Sequence, residues 1–199
     1  MPSSTRSLTL DDIADLRAYE REREAFRDHV IALKKKRRVG VGPIVTLVFE
    51  NRDTIRFQIQ EMARAERMLT DEAIQTELDI YNPLIPEPGS LSATMFIELT
   101  SKDDLEAWLP KLVGIERAVE LRLGDGTTIR CTPDPSHDQQ LTREEITASV
   151  HYLTFELTDA QVAAFAAGPV SIAVSHPAYR EATELPEMAV KELLSDLRG

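Results

Sequence analysis

The 199-residue chain is short of several things at once. It has a single cysteine, Cys131, so no disulfide can close within it, and a reducing compartment, the cytoplasm, is the expected location. Aromatic residues make up only 6%, which leaves Leu, Ile and Val to fill a core. No run approaches the roughly 18 apolar residues of a membrane-spanning helix, and the opening "MPSSTRSLTLDDIADL" lacks the apolar stretch of a secretory signal. Positive charge is in deficit, with 23 Lys and Arg against 34 Asp and Glu and a net charge of -11. Affinity for polyanions rests on neutralised phosphates, so nucleic acid and anionic membrane surfaces are disfavoured as partners. Catalytic signatures are missing too. There is no Gly-Lys-Ser/Thr phosphate loop, no His-Glu-x-x-His, no Cys-x-x-Cys and no Gly-x-Ser-x-Gly.

What remains is an ordinary globular composition, 42% hydrophobic and 29% charged, in a chain long enough to bury a core. The first element reads as a long helix. "TLDD" at Thr9 has the form of a capping box, and Leu16, Tyr19, Arg23, Phe26, Val30, Leu33 and Arg37 recur at spacings of three and four, one helical face. A helix from Thr9 to about Arg38 would be on the order of 45 Å long, enough to cross the molecule or to pair with a second copy in a homodimer. Gly40 and Gly42 are expected to end it. "IVTLVFE" (44–50) reads as a buried strand. Residues 53–69 fit two patterns, a hairpin arm alternating at Ile55, Phe57 and Ile59, or a helix with Ile55, Ile59, Met62 and Leu69 on one face. The strong helix formers of "EMARAER" favour the helix. A further helix spans 70–81, and "NPLIPEPGS" is the one linker-like stretch.

Beyond it, strands are expected at 92–99, in a hairpin over 117–132 turning at Gly124-Asp125-Gly126, at 147–157 and, last, at 169–176. Helices are expected at 101–112, 158–168 and 185–197. Strands joined by hairpins with few crossovers indicate an α+β fold, a long N-terminal helix and a helical segment packed on a mainly antiparallel sheet. A single domain is expected, since "IVTLVFE" would otherwise be a lone strand. Its possible subdivision is 1–86 and 91–199.

Two stretches carry charge where it invites explanation. "KKKRR" (34–38) runs into Gly-Val-Gly-Pro. Basic residues in a last helical turn interact with its carbonyl end, and a phosphate loop would need the reverse order, glycines before helix. An anion held by the side chains, or an acidic partner, are the functional alternatives. Charges also interrupt apolar stripes, Arg23 between Tyr19 and Phe26 and Glu66 between Met62 and Leu69. A structural Arg23–Glu66 bridge is one account. A polar cavity lined by Glu20, Glu66 and some of Gln58, Gln60, Glu61 and Arg64 is the other, with no metal expected because Glu-x-x-His pairs are missing. The sequence places His29 on a solvated helix face and His137 in a loop. If their strands paired, His151 and His176 would approach each other near Tyr179 and Cys131, without any zinc-type spacing.

The stretches "AYERERE", "ALKKKRRVGVGPIVTLVFENRDTIRFQIQEMARAE" and "ELDIYNPLIP" resemble a bacterial family described only as a domain of unknown function. The resemblance is dense over residues 8–86 and thinner beyond, at "HYLTFEL" and "HPAY". Members are often encoded beside a rubrerythrin and an iron–sulfur oxidoreductase. The resemblance therefore implies a redox or peroxide-stress setting and partners of those kinds, and it supplies no catalytic residues and no cofactor. The leading expectation is an accessory protein that works by binding, with Arg23, Lys34, Arg37, Arg38, Glu61, Arg64, Glu66 and Arg67 as candidate ligand contacts. The alternative is an enzyme on a small anionic substrate, with Arg23, Arg37, Arg64 or Arg67 as clamp and Glu61 or Glu66 as base.

Overall fold

A computed structural model describes residues 6–135 and 146–199. The chain divides into two compact units, Met1–Lys36 with Glu50–Pro86, and Arg37–Phe49 with Glu87–Gly199.

The first unit is helical. The Thr9 capping box forms, with the Thr9 amide donating to Asp12 Oδ2 at 2.8 Å, but it encloses only a 3-10 turn, Leu10–Asp12. The long helix α1 spans Leu16–Arg37, starting seven residues later than the spacing predicts. Two interactions set this start. Asp15 Oδ1 accepts from the Ala18 amide at 2.8 Å, a second cap. Gln60, fully buried, bonds both backbone groups of Ala14, at 2.8 and 3.1 Å, and so takes them away from a helical ladder. The expected stripe does face inward, with Tyr19 and Val30 buried and Leu16, Arg23, Phe26 and Leu33 half-buried.

Of the two patterns for 53–69, the helix forms. α2 spans Arg52–Glu66, and Asn51 Oδ1 caps it by accepting from the Thr54 amide at 3.0 Å. Ile55, Ile59 and Ala63, four apart, make its buried face. α3 (Asp71–Tyr81) follows with Thr70 as its cap. Asn82 then bonds both backbone groups of Leu8, at 2.8 and 2.9 Å, which fastens the start of the unit to its end.

The second unit carries the strands. α1 passes directly into β1 (Arg38–Val41), so Gly40 lies within a strand and does not cap the helix. Gly42, at φ +72°, makes the turn into β2 (Val45–Glu50). A Cβ there would lie 2.4 Å from the Tyr179 hydroxyl and from Glu181 Cγ. Next come β3 (Ser90–Ile97), α4 (Lys102–Trp108), β4 (Val119–Leu123), β5 (Thr128–Arg130), β6 (Thr132–Pro133) and β7 (Val150–Glu156). The chain closes with α5 (Asp159–Ala167), β8 (Val170–His176), β9 (Tyr179–Glu184) and α6 (Glu187–Arg198). One sheet has the order β1-β2-β3-β7-β6 and the other β5-β4-β8-β9. "IVTLVFE" therefore does find later strands to join.

Pairing is antiparallel, as in Met95 opposite His151 and Leu121 opposite Ile172, and the fold is α+β. The core includes Leu47, Phe49, Met95, Leu121, Phe155 and Phe165. A strand beyond 169–176 was not expected, and β9 is one. Its sequence, YREATE, is polar because it forms an edge with only Tyr179 buried. No described helix is long and apolar enough to cross a membrane.

Candidate functional site

In the helical unit, α1 and α2 bring their charges face to face. Arg23 donates through Nε to Glu61 Oε1 at 2.8 Å and through Nη2 to Oε2 at 2.9 Å, a two-pronged pair. The Tyr19 hydroxyl donates to the same Oε1 at 2.7 Å. One turn along each helix, Arg64 pairs with Glu20. On the other side, Arg56 donates to Glu22 at 2.7 Å while its guanidinium lies 4.5 Å from the Phe26 ring centroid. Arg52 reaches Asp12 at 2.6 Å and His29 reaches Asp53 at 2.8 Å, so His29 is half-solvated but paired.

The Arg23 hydrogen bond holds the Glu61 carboxyl below the usual range, against the opposing pull of burial. Burial, and then the Glu61 bond, raise the Tyr19 phenol. Glu61 is therefore a fixed anion, Arg23 its fixed counter-ion and Tyr19 a neutral donor.

Beside this cluster lies an open hollow of about 490 Å³, lined by Leu16, Glu20, Arg64, Ala65, Arg67 and Leu69. Arg67 caps α2 in the left-handed conformation, φ 53° and ψ 48°, which costs a non-glycine residue roughly 1–2 kcal/mol. Among the described residues it is the only non-glycine at positive φ. Its amide continues onto the Ala63 and Arg64 carbonyls, and the Met68 amide donates to the Ala63 carbonyl at 2.9 Å, the usual closure of a helix end. The Arg67 side chain is exposed and has no ion-pair partner among the described residues. Next to it, Leu69 is 82% exposed.

The structure thus gathers Arg23, Glu61, Arg64 and Arg67, with Glu20, in one unit. The other candidates lie apart from this cluster. Glu66 is exposed and the Arg23–Glu66 bridge does not form, because the Ile55–Ile59–Ala63 face turns Glu66 outward. Glu66 instead adds to the burial that raises the Glu77 carboxyl. Gln58 is exposed and Gln60 is spent on Ala14. Lys34 lies 5.9 Å from the Phe57 ring centroid. Arg37 and Arg38 belong to the second unit, where Arg37 is buried against Glu192 and Asp196 and Arg38 pairs with Glu98.

His151 and His176 do not meet through strand pairing, since β7 lies between β3 and β6 while β8 lies between β4 and β9. His151 Nε2 is 3.0 Å from Thr147 Oγ1 and 2.9 Å from the Ala148 carbonyl. His176 Nε2 is 3.0 Å from the Val113 carbonyl, and its Nδ1 accepts from the Ala178 amide. Tyr179 donates to the Val41 carbonyl at 2.6 Å, and the Cys131 thiol to the Glu116 carbonyl at 3.1 Å. His137 lies outside the described residues. Among those described, no three His, Cys, Asp or Glu side chains are grouped to hold a metal ion. The contributions of Tyr19, Leu16 and Leu69 to the site were not foreseen. Tyr19 could have been found as the one hydroxyl on the α1 stripe.

Residues 7–197 match a family described as protein of unknown function (DUF3501). A solved structure, described as a novel protein of unknown function from Burkholderia pseudomallei K96243, is similar over 96% of this chain and 99% of that one. The two share 39% identity, with a TM-score of 0.88. No curated protein matches the chain. The chain belongs to the DUF3501 family of proteins of unknown function.

Proposed function

We propose that the protein acts by binding, with the hollow of the helical unit as the seat of an anionic ligand that carries an apolar part. The observation behind this is Arg67, a guanidinium with no ion-pair partner among the described residues, on a left-handed, costly backbone and beside the exposed Leu69 in a hollow. Residues kept in sparsely populated conformations cluster where structure serves function. Turnover is the weaker reading. A general base works best with a pKa near the operating pH, whereas Glu61 is held low by Arg23. Arg23 itself, Arg37 and Arg64 are engaged with carboxylates, and the other candidate base, Glu66, is exposed and does not meet Arg23, so Arg67 alone is left of the envisaged clamp. The redox setting implied by the family resemblance belongs to the same proposal, with a rubrerythrin or an iron–sulfur protein as the partner of the loaded form.

Arg67→Gly tests the site, because glycine removes the cation and accepts the left-handed backbone without strain. Titration calorimetry with octanoate should show binding to the wild-type protein that weakens about tenfold or more in the variant, as expected for a lost charge-assisted bond. The variant should melt no lower than the wild type. Unchanged octanoate affinity in Arg67→Gly would remove the hollow as the binding site. Capture of purified rubrerythrin on the immobilised protein tests the partner.

A further inference from the structure

We propose that Glu20 sets the charge class of the ligand: by neutralising Arg64 it restricts the hollow to monoanions. This rests on the binding reading above and adds a specificity-determining residue to it. The charged cluster has three cations, Arg23, Arg64 and Arg67, and two anions, Glu20 and Glu61. Geometry says which cation is in excess. Arg23 gives both prongs to Glu61, Arg64 gives its Nε to Glu20, and Arg67 has no partner among the described residues. One monocarboxylate on Arg67 therefore balances the cluster, while Leu16, Ala65 and Leu69 offer an apolar surface to its chain.

A dianion such as inorganic phosphate calls for a second cation. Arg64 is the one within the same hollow, but the Glu20 carboxylate on its Nε already offsets its charge, so it serves a second negative charge fully only if that pair opens. Glu20 also lines the hollow, so an opened pair would leave its carboxylate facing the second negative charge. Specificity of this kind comes from a repulsive element placed against the unwanted ligand. Removing Glu20 should leave the fold intact, because the Glu20 and Arg64 side chains are 52% and 41% exposed and exposed pairs contribute little to stability.

The experiment is calorimetric titration, in mildly alkaline buffer where inorganic phosphate is a dianion, of the wild type, Glu20→Gln and Glu20→Ala with octanoate and, separately, with phosphate, after circular dichroism confirms that each variant is folded. The wild type should prefer octanoate. Both Glu20 variants should gain phosphate affinity by about tenfold or more, a larger gain than any they show for octanoate, which needs only one cation. Equal phosphate affinity in wild type and variants, with octanoate still binding, overturns the role of Glu20 and leaves the binding site standing. Wild-type protein that binds phosphate as well as octanoate overturns it equally. No binding of either anion by any of the three proteins overturns the binding reading itself, and this inference with it.

Discussion

Arg37 and Asp196 meet as a two-pronged pair across 159 positions of sequence, Nη1 to Oδ2 at 2.7 Å and Nη2 to Oδ1 at 3.0 Å. Glu192, one turn earlier on α6, accepts from Arg37 Nε at 3.1 Å and Nη2 at 2.9 Å. The Arg37 side chain is 1% exposed, so its charge is tolerated only because these carboxylates surround it. Replacing one partner of a buried pair strands the others in a poorly solvated place. Arg37→Met is expected to lower stability by about 3 kcal/mol, the low end of the range for such changes, because Glu192 and Asp196 keep 20% and 13% exposure and can rehydrate. Arg37→Lys should recover part of the loss, since an ammonium keeps the charge but not the fork. Urea denaturation curves of the three proteins measure this directly. A Met variant as stable as the wild type would show that the triad contributes nothing to stability.

Glu61 makes the helical unit sensitive to acid. Its carboxyl lies below the ordinary glutamate value of 4.5, chiefly through the Arg23 bond. A carboxyl whose folded pKa is depressed contributes stability that is fully present above the unfolded value and is lost as pH falls through the folded one. Glu61→Gln should therefore be less stable than the wild type near neutral pH, and the gap should close as pH falls below 4.5. The Arg23 and Glu61 side chains are 29% and 30% exposed, so solvent screening limits the gap to about 1 kcal/mol. Denaturation series at neutral and acidic pH would contradict this if the difference stayed constant between them.

Much of the architecture was legible because local rules govern it. The α1 stripe put Tyr19, Arg23, Phe26 and Val30 on the inner face, and that is where they lie. The helices expected at 70–81, 101–112 and 158–168 begin where expected, capped by Thr70, Ser101 and Thr158. Of the misses, two depend on residues distant in sequence and one on where a helix ends. Thr9 and Asp15 are both good caps, and Gln60, 46 positions from Ala14, favours the later one. Arg23 was matched with Glu66 because Leu69 was counted into the α2 stripe, whereas Leu69 lies beyond the helix and is exposed. Moving the buried face onto Ile55, Ile59 and Ala63 brings Glu61 to Arg23 instead. The acids around Arg37 lie 155 and 159 positions away, beyond any local pattern.

Cys131 is expected to be inert in the folded protein. It is 8% exposed, burial pushes its thiol up to about 11, and the sulfur is engaged with the Glu116 carbonyl. The thiolate is the reactive form, and near neutral pH about one Cys131 in ten thousand would be ionised. An aromatic disulfide reagent should leave the native protein unlabelled and should label one thiol per chain once concentrated guanidinium unfolds it. The same shift has a consequence for alkaline stability. A thiol whose folded pKa is raised contributes stability that is present below the ordinary cysteine value of 9.0 and is lost as pH rises through about 11. Cys131→Ala should therefore flatten the alkaline fall in stability relative to the wild type. Rapid labelling of the native protein would reverse both expectations and make Cys131 an accessible nucleophile, a role its surroundings do not favour.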